Sequence, residues 1–161
     1  MDDDLRALAE NVLSRCRARG VMLATAESCT GGMIAGALTE IAGSSDVVER
    51  GFVTYSNAAK TELLGVKASL IEAHGAVSGE VAAAMAEGAL AHAPVDLAVS
   101  VTGIAGPGGA TPGKPVGLVW FGLARRGKPV RTEHHIFPGD RSLVRRAAVA
   151  RALALLAAAV E

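Results

Sequence analysis

The feature that most constrains the fold is a recurring order along the chain. A short apolar run comes first, then a turn rich in glycine and polar residues, then a segment with helical spacing. Val21–Ala26 is the first such run, the hexad Glu27–Gly32 is its turn, and a helix is predicted from Met33 to Ile41. A continuous apolar run is typical of a strand covered on both faces, so this order indicates an α/β fold.

The remaining pattern extends this order to the end of the chain. We predict one domain over residues 1–161, with the architecture of a three-layer α/β/α sandwich and a mixed, mostly parallel sheet. The other predicted elements are a helix at 3–19, strands Phe52–Tyr55 and Asp96–Thr102, a helix Asn57–Leu64, an alanine-rich helix capped by Ser78 and ending at His92, a hairpin of Val116–Ala124 and Val130–Phe137, and a final helix Asp140–Val160.

Charge and composition narrow the class of partner. Sixteen basic and sixteen acidic side chains cancel, so no global field attracts nucleic acid or an anionic membrane. The acidic residues after Met1 do not resemble a secretory signal, and the apolar stretch after Arg151 is too short to span a bilayer. We therefore expect a cytoplasmic protein with no nucleic-acid or membrane partner.

Neither a disulfide scaffold nor a metal site is expected. The two cysteines, Cys16 and Cys29, are too few for a disulfide framework and lack metal-ligand spacing. The four histidines also lack ligand spacing; they are His74, His92, His134 and His135.

The polar hexad after the first strand is the first candidate site. Amides that open a helix at the end of a strand point toward a ligand crevice, and Ser28 stands there as a nucleophile beside a possible oxyanion site. A thiol at the same position, Cys29, is a competing nucleophile or a packed apolar residue. Alternatively, Ser28 or Thr30 merely caps the helix, a reading that the local pattern alone favours.

A tyrosine and a lysine follow the second predicted strand. Tyr55 ends that strand and Lys60 lies in the first turns of the next helix, so both can face the crevice. A lysine near a helix N-terminus is unfavourable as a cation, and burial lowers its pKa further, as a lysine base requires. The alternative is a solvated lysine and a half-buried tyrosine.

Two further segments can contact a ligand. The glycine-rich segment 103–115 contains Gly103 and Gly106, and it is either a wall that a flat ring or ribose can approach or a flexible loop. Residues 108–114 match the G-x-x-x-x-G-K pattern of a phosphate-binding loop. That loop requires a serine or threonine and then a helix, whereas a proline and a strand follow here, so we reject this interpretation. Arg141 and Arg145 share one face of the last helix and either bind an anion such as phosphate or pair with Asp140.

Together these segments resemble the CinA C-terminal-domain family, in order and over nearly the whole chain. The resemblance rests on Ala26–Gly32, Gly51–Lys60, Gly75–Ser78, Thr102–Gly109, Lys114–Gly117 and Gly139–Arg141. It implies hydrolysis of the carboxamide of nicotinamide mononucleotide to the carboxylate and ammonia, with a small-molecule nucleotide as partner and no cofactor or metal.

The resemblance also implies roles for individual residues. Ser28 would attack the carboxamide, Lys60 would take its proton, and Tyr55 would orient or relay within that pair. The substrate-binding set is Thr30, Gly31 and Gly32, whose amides stabilise the oxyanion, with Asn57, Gly103 and Gly106. Arg141 and Arg145 complete the set at the phosphate, an assignment that rests more on their place at the start of the last helix than on the family. A homo-oligomer is expected. The rival hypothesis is a module that binds a nucleotide in the same crevice without hydrolysing it.

Overall fold

A five-stranded sheet organises the chain, and the computed structural model describes it over residues 1–161. The sheet strands are β1 (Leu23–Glu27), β2 (Val48–Val53), β3 (Leu97–Gly103), β4 (Leu118–Arg125) and β5 (Arg131–Ile136). The helices are α1 (Asp3–Arg19), α2 (Met33–Thr39), α3 (Asn57–Leu64), α4 (Ala68–His74), α5 (Gly79–His92) and α6 (Arg141–Ala158), and a short 3₁₀ turn covers Ser44–Asp46.

The strand order is β2-β1-β3-β4-β5. Strand β1 is parallel to both of its neighbours, and β4 is antiparallel to both β3 and β5. Only β4 therefore runs against the other strands, which confirms the predicted mixed, mostly parallel sheet. The carboxyl ends of β1, β2 and β3 meet at one edge, where ligands bind in open α/β sheets.

Helices cover both faces of the sheet and complete the three predicted layers. On one face, α1, α2 and α6 bury the larger apolar cluster, which includes Leu13, Phe121 and Leu153. On the other face, α3, α4 and α5 bury a smaller cluster around Leu64 and Met85. Each large apolar side chain so buried contributes about 1.5–3 kcal/mol, so the two clusters hold the strand ends in place.

Helix ends follow the expected capping chemistry. Gly20 ends α1 with φ 65°, a left-handed conformation that favours glycine. The Ser78 hydroxyl accepts a hydrogen bond from the amide of Val81 at the start of α5, and the Asp140 carboxylate accepts one from the amide of Leu143 in α6. These caps confirm the predicted starts of both helices.

The second strand differs from its prediction. It begins at Val48 and ends at Val53, whereas Phe52–Tyr55 was predicted. Because β2 is an edge strand, none of its residues is fully buried and the polar Glu49 and Arg50 follow Val48, so the apolar signal appears only toward its end. Helix α4, at Ala68–His74, was not predicted.

None of the helices combines the length and the apolar character that a membrane crossing requires.

Candidate active site

A serine and a lysine meet at the ends of β1 and β2. Lys60 is 1% exposed, and its Nζ donates a hydrogen bond of 3.1 Å to Ser28 Oγ. Nζ also donates to the main-chain carbonyls of Thr54, at 2.9 Å, and Tyr55, at 3.4 Å. The predicted pair is therefore assembled, and the main chain after β2 orients the amine toward the serine.

The local environment of Lys60 destabilises its charged form. Burial lowers the pKa of Lys60 from its ordinary value of 10.5. The partners of Nζ are a hydroxyl and two carbonyls, and no carboxylate pairs with it to stabilise the cation. A neutral Nζ can accept the serine proton through the contact that already exists.

The turn after Ser28 presents free amides. Gly31 and Gly32 have φ values of 57° and 102°, which glycine adopts without strain. The amide of Gly31 donates 3.0 Å to the carbonyl of Ser28, so it is not free for a substrate. The amides of Thr30 and Gly32 have no acceptor in the chain, so two of the three predicted donors are available, and the amide of Cys29 contacts only its own thiol.

A carboxylate that the sequence analysis did not select holds this turn. Glu27 is completely buried and accepts hydrogen bonds from Thr30 Oγ1 at 2.6 Å and from the amides of Ile34 at 2.9 Å and Ala35 at 3.1 Å. The charge lies at the N-terminus of α2, where a helix favours an anion. A charged residue that closes an otherwise apolar strand was the available signal.

Arg141 connects the glycine-rich loop to Tyr55. Its Nη1 donates 2.9 Å to the carbonyl of Gly106, and its Nη2 donates 3.1 Å to Tyr55 Oη. The Tyr55 ring is 63% exposed, and its hydroxyl contacts neither Ser28 nor Lys60. Only the carbonyl of Tyr55 reaches the lysine, so the structure does not bring the phenol into the predicted relay.

Arg145 contacts the turn formed by residues 28–32, which we call the nucleophile turn. Its Nε donates 3.0 Å to the carbonyl of Cys29, and its Nη2 donates 3.4 Å to that of Thr30. The alternative pairing with Asp140 is not formed, because that carboxylate caps α6.

No carboxylate neutralises either arginine of the site. Elsewhere on α6, Arg146 pairs with Asp2 and Arg151 pairs with Glu133. Arg141 and Arg145 instead contact carbonyls and a hydroxyl. Two uncompensated positive charges therefore border the site.

The remaining predicted residues lie apart from these contacts or serve packing. A Cβ on Gly103 would lie 2.7 Å from Val119 Cγ2, so this glycine allows β3 and β4 to pack closely. Gly106 has φ 83°, and a Cβ there would lie 2.6 Å from Val116 Cγ1. Asn57 is exposed at the start of α3 and lines a groove with α4, outside the hydrogen-bond network.

Fold and site together define a three-layer α/β protein of enzymatic type, with a serine, a buried amine and free amides converging where parallel strands end. Residues 5–160 match the family described as "CinA C-terminal domain", and the chain belongs to that family.

Relatives and solved structures agree with this assignment. The "Nicotinamide-nucleotide amidohydrolase PncC" of Escherichia coli K12 is 52% identical over 156 residues, which cover 96% of this chain and 94% of that protein. A "CinA-like protein" of Akkermansia muciniphila is 51% identical over 92% of this chain but only 36% of its own length. The crystal structure of the competence/damage inducible protein CihA from Agrobacterium tumefaciens superposes with a TM-score of 0.95, at 48% identity, and covers 98% of this chain and 96% of that one.

Proposed function

We propose that this protein is an amidohydrolase that converts nicotinamide mononucleotide and water into nicotinate mononucleotide and ammonia. The observation that carries the proposal is the 3.1 Å hydrogen bond between buried Lys60 Nζ and Ser28 Oγ, beside amides that have no acceptor. The 52% identity to a relative named for this activity supports the choice of substrate.

The reaction proceeds through an acyl-enzyme. Neutral Lys60 takes the proton of Ser28 as Oγ attacks the carboxamide carbon, and a C–O bond forms. The amides of Thr30 and Gly32 donate to the oxyanion. Lys60 returns the proton to the leaving nitrogen, the C–N bond breaks and ammonia departs. Water then attacks the ester by the same route and regenerates Ser28.

The substrate's own charge assists this chemistry. Its pyridinium ring withdraws electrons from the carboxamide, which makes the carbon more electrophilic. The exposed ring of Tyr55, at the mouth of the site, can lie against that cation, a contact worth about 0.5–2 kcal/mol. We assign Tyr55 to substrate positioning through its ring, in place of a relay through its hydroxyl.

Arg141 is our choice for the 5′-phosphate. A guanidinium has five N–H donors, and only two of those of Arg141 are used, by Gly106 and Tyr55. The contact with Gly106 brings the glycine-rich loop to the same point, where its main chain can border the ribose or ring. Arg145, the other predicted phosphate ligand, already donates to two carbonyls.

Location and assembly belong to the same proposal. We propose a cytoplasmic homo-oligomer that does not bind nucleic acid. Three large apolar side chains, Val53, Leu63 and Ile136, are 46–61% exposed and are candidates for subunit contacts. Light scattering of the purified protein would give its mass in solution, and a monomer at micromolar concentration would refute the oligomer.

The test measures ammonia and nicotinate mononucleotide with a metal chelator present. Wild type should turn over, and Ser28→Ala and Lys60→Ala should not. Ser69→Ala and Lys67→Ala change exposed residues of the same types on or beside α4 and should retain wild-type rates. Saturable binding by wild type without product would support the non-catalytic nucleotide-binding module instead, and full activity in Ser28→Ala would exclude the serine mechanism.

A further inference from the structure

Arg145 makes an unusual pair of contacts for an arginine beside a proposed anion site. It reaches across 116 sequence positions to the carbonyl of Cys29, with a second contact at Thr30. A Cβ on Gly31 would lie 3.4 Å from its Nη2, so the guanidinium lies directly against the nucleophile turn. The Nε and Nη2 donors of Arg145 therefore bind main-chain carbonyls of the protein itself.

The planar geometry of the peptide bond means that these contacts determine the direction of the Thr30 N–H. The C=O and N–H of a trans peptide point in opposite directions, and the one cis bond of this chain lies elsewhere, at Gly106–Pro107. The carbonyl that Arg145 Nε holds belongs to the peptide whose N–H is that of Thr30. That amide consequently points away from Arg145, and it has no acceptor in the chain.

The second contact fixes the next peptide. Arg145 Nη2 contacts the carbonyl of Thr30, whose peptide carries the N–H of Gly31, and that N–H closes the turn onto the carbonyl of Ser28. The planar guanidinium of Arg145 thus fixes the orientation of two adjacent peptide groups. A lysine in this place has a single ammonium and cannot reproduce the two-point geometry.

We propose that Arg145 is a positioning residue, which aims the Thr30 amide at the oxyanion formed on attack by Ser28, and not a phosphate ligand. This inference rests on the proposed serine mechanism. Loss of Arg145 should therefore weaken transition-state stabilisation and leave substrate binding nearly unchanged.

Substrates with and without a phosphate separate the two roles. Arg145→Lys should lower kcat by about 10- to 100-fold, less than removal of an oxyanion donor itself, with KM within a few-fold. The fold-loss should be the same for nicotinamide mononucleotide and nicotinamide riboside, which lacks the phosphate. Arg141→Gln is the matched variant and should raise KM for the nucleotide far more than for the riboside. An Arg145→Lys effect confined to KM and absent with the riboside would overturn the inference.

A second readout does not depend on the amide substrate. A fluorophosphonate labels an activated serine through a transition state whose phosphoryl oxygen uses the oxyanion donors. Arg145→Lys should label Ser28 10- to 100-fold more slowly than wild type but to the same final extent, whereas a partly unfolded variant would lose extent. Labelling at the wild-type rate, or no labelling of wild type, would refute the positioning role. Labelling of a wild type that hydrolyses no nicotinamide nucleotide would refute only the proposed substrate.

Discussion

Lys60 and Ser28 are 32 positions apart in sequence, yet their side chains share a 3.1 Å hydrogen bond. Helix α3 begins four residues after β2 ends, at Asn57, and this short connection brings its first inward-facing side chain beneath the end of β1. The carbonyls of Thr54 and Tyr55 hold the same amine from the other side. The position of the lysine is therefore fixed by main chain, and under the proposed mechanism its protonation state controls activity.

The rate should depend on pH through Lys60. A base acts in its neutral form, and burial lowers the pKa of this amine below 10.5, so kcat/KM should rise with pH and level off below that value. The measurement is kcat/KM for nicotinamide mononucleotide between pH 6 and 11, corrected for hydrolysis without enzyme. Lys60→Arg cannot become neutral and should be inactive throughout. A rate that keeps rising through pH 10.5 would argue against a buried lysine base.

The same burial should cost stability. Because the folded pKa of Lys60 is below its unfolded value of 10.5, the unfolded chain binds more protons than the folded chain between these two pKa values, and stability increases with pH across that window. Lys60→Met should raise the free energy of unfolding by about 1–3 kcal/mol near pH 7. The gain should shrink as the pH approaches 10.5.

Urea unfolding at pH 6, 7.5 and 9 measures this difference. Lys67→Met changes an exposed lysine and should show no pH-dependent gain. A Lys60→Met variant less stable than wild type at every pH would mean that the three hydrogen bonds of Nζ outweigh its desolvation.

Fold prediction was reliable where local signals act alone. The apolar run of β1, the stop at Gly20 and the Asp140 cap each depend on a few adjacent residues. The start of β2 could not be predicted because an edge strand needs no apolar face, so Glu49 and Arg50 conceal it. The pairing of β2 with β1, which defines it as a strand, is a long-range property.

The candidate site was likewise predictable only as far as local sequence signals describe it. Residue types and turn position made Ser28 and Lys60 candidates, and the family resemblance was needed to select them as a catalytic pair. The contacts of Arg145 and of the Tyr55 hydroxyl depend on how α6 crosses the strand ends, which no local pattern contains. The position of Glu27 at the end of an apolar run was a signal in the sequence, but its role became clear only once its three donors were placed around it.

Tyr55→Phe should retain most of the activity. The Tyr55 hydroxyl contacts Arg141 and not the serine–lysine pair, so its removal should change kcat by less than about fivefold and mainly raise KM. Tyr55→Ala should raise KM further, because it also removes the exposed ring. Steady-state kinetics of both variants decide the matter, and a kcat loss of 100-fold or more in Tyr55→Phe would restore the relay role.

Cys29 should be dispensable for chemistry. Burial raises the pKa of its thiol to about 11, so the thiolate is scarce at neutral pH. Cys29→Ala should keep kcat within about threefold and cost about 1 kcal/mol of stability through the lost packing. Cys16→Ala is the matched control, since that thiol is also buried and its pKa is also raised to about 11. Abolished turnover in the Cys29 variant alone would make the thiol the nucleophile.

Glu27→Gln should damage both stability and turnover. The carboxylate uses two oxygens to accept from Thr30 Oγ1, Ile34 N and Ala35 N, whereas a glutamine amide must turn its NH₂ toward one of these donors. The resulting unsatisfied buried group should lower the free energy of unfolding by about 1–3 kcal/mol.

The turn that carries the free amides of Thr30 and Gly32 should also lose its fixed geometry, so kcat should fall while KM changes little. Glu62→Gln removes an exposed carboxylate from α3 and serves as the control. Urea unfolding and steady-state kinetics on the same preparations test both effects. Thr30→Val removes Oγ1, one of the three donors to the Glu27 carboxylate, and should show a smaller loss of both stability and kcat. If Glu27→Gln matched wild type in both measurements, the carboxylate would not be what orders the nucleophile turn.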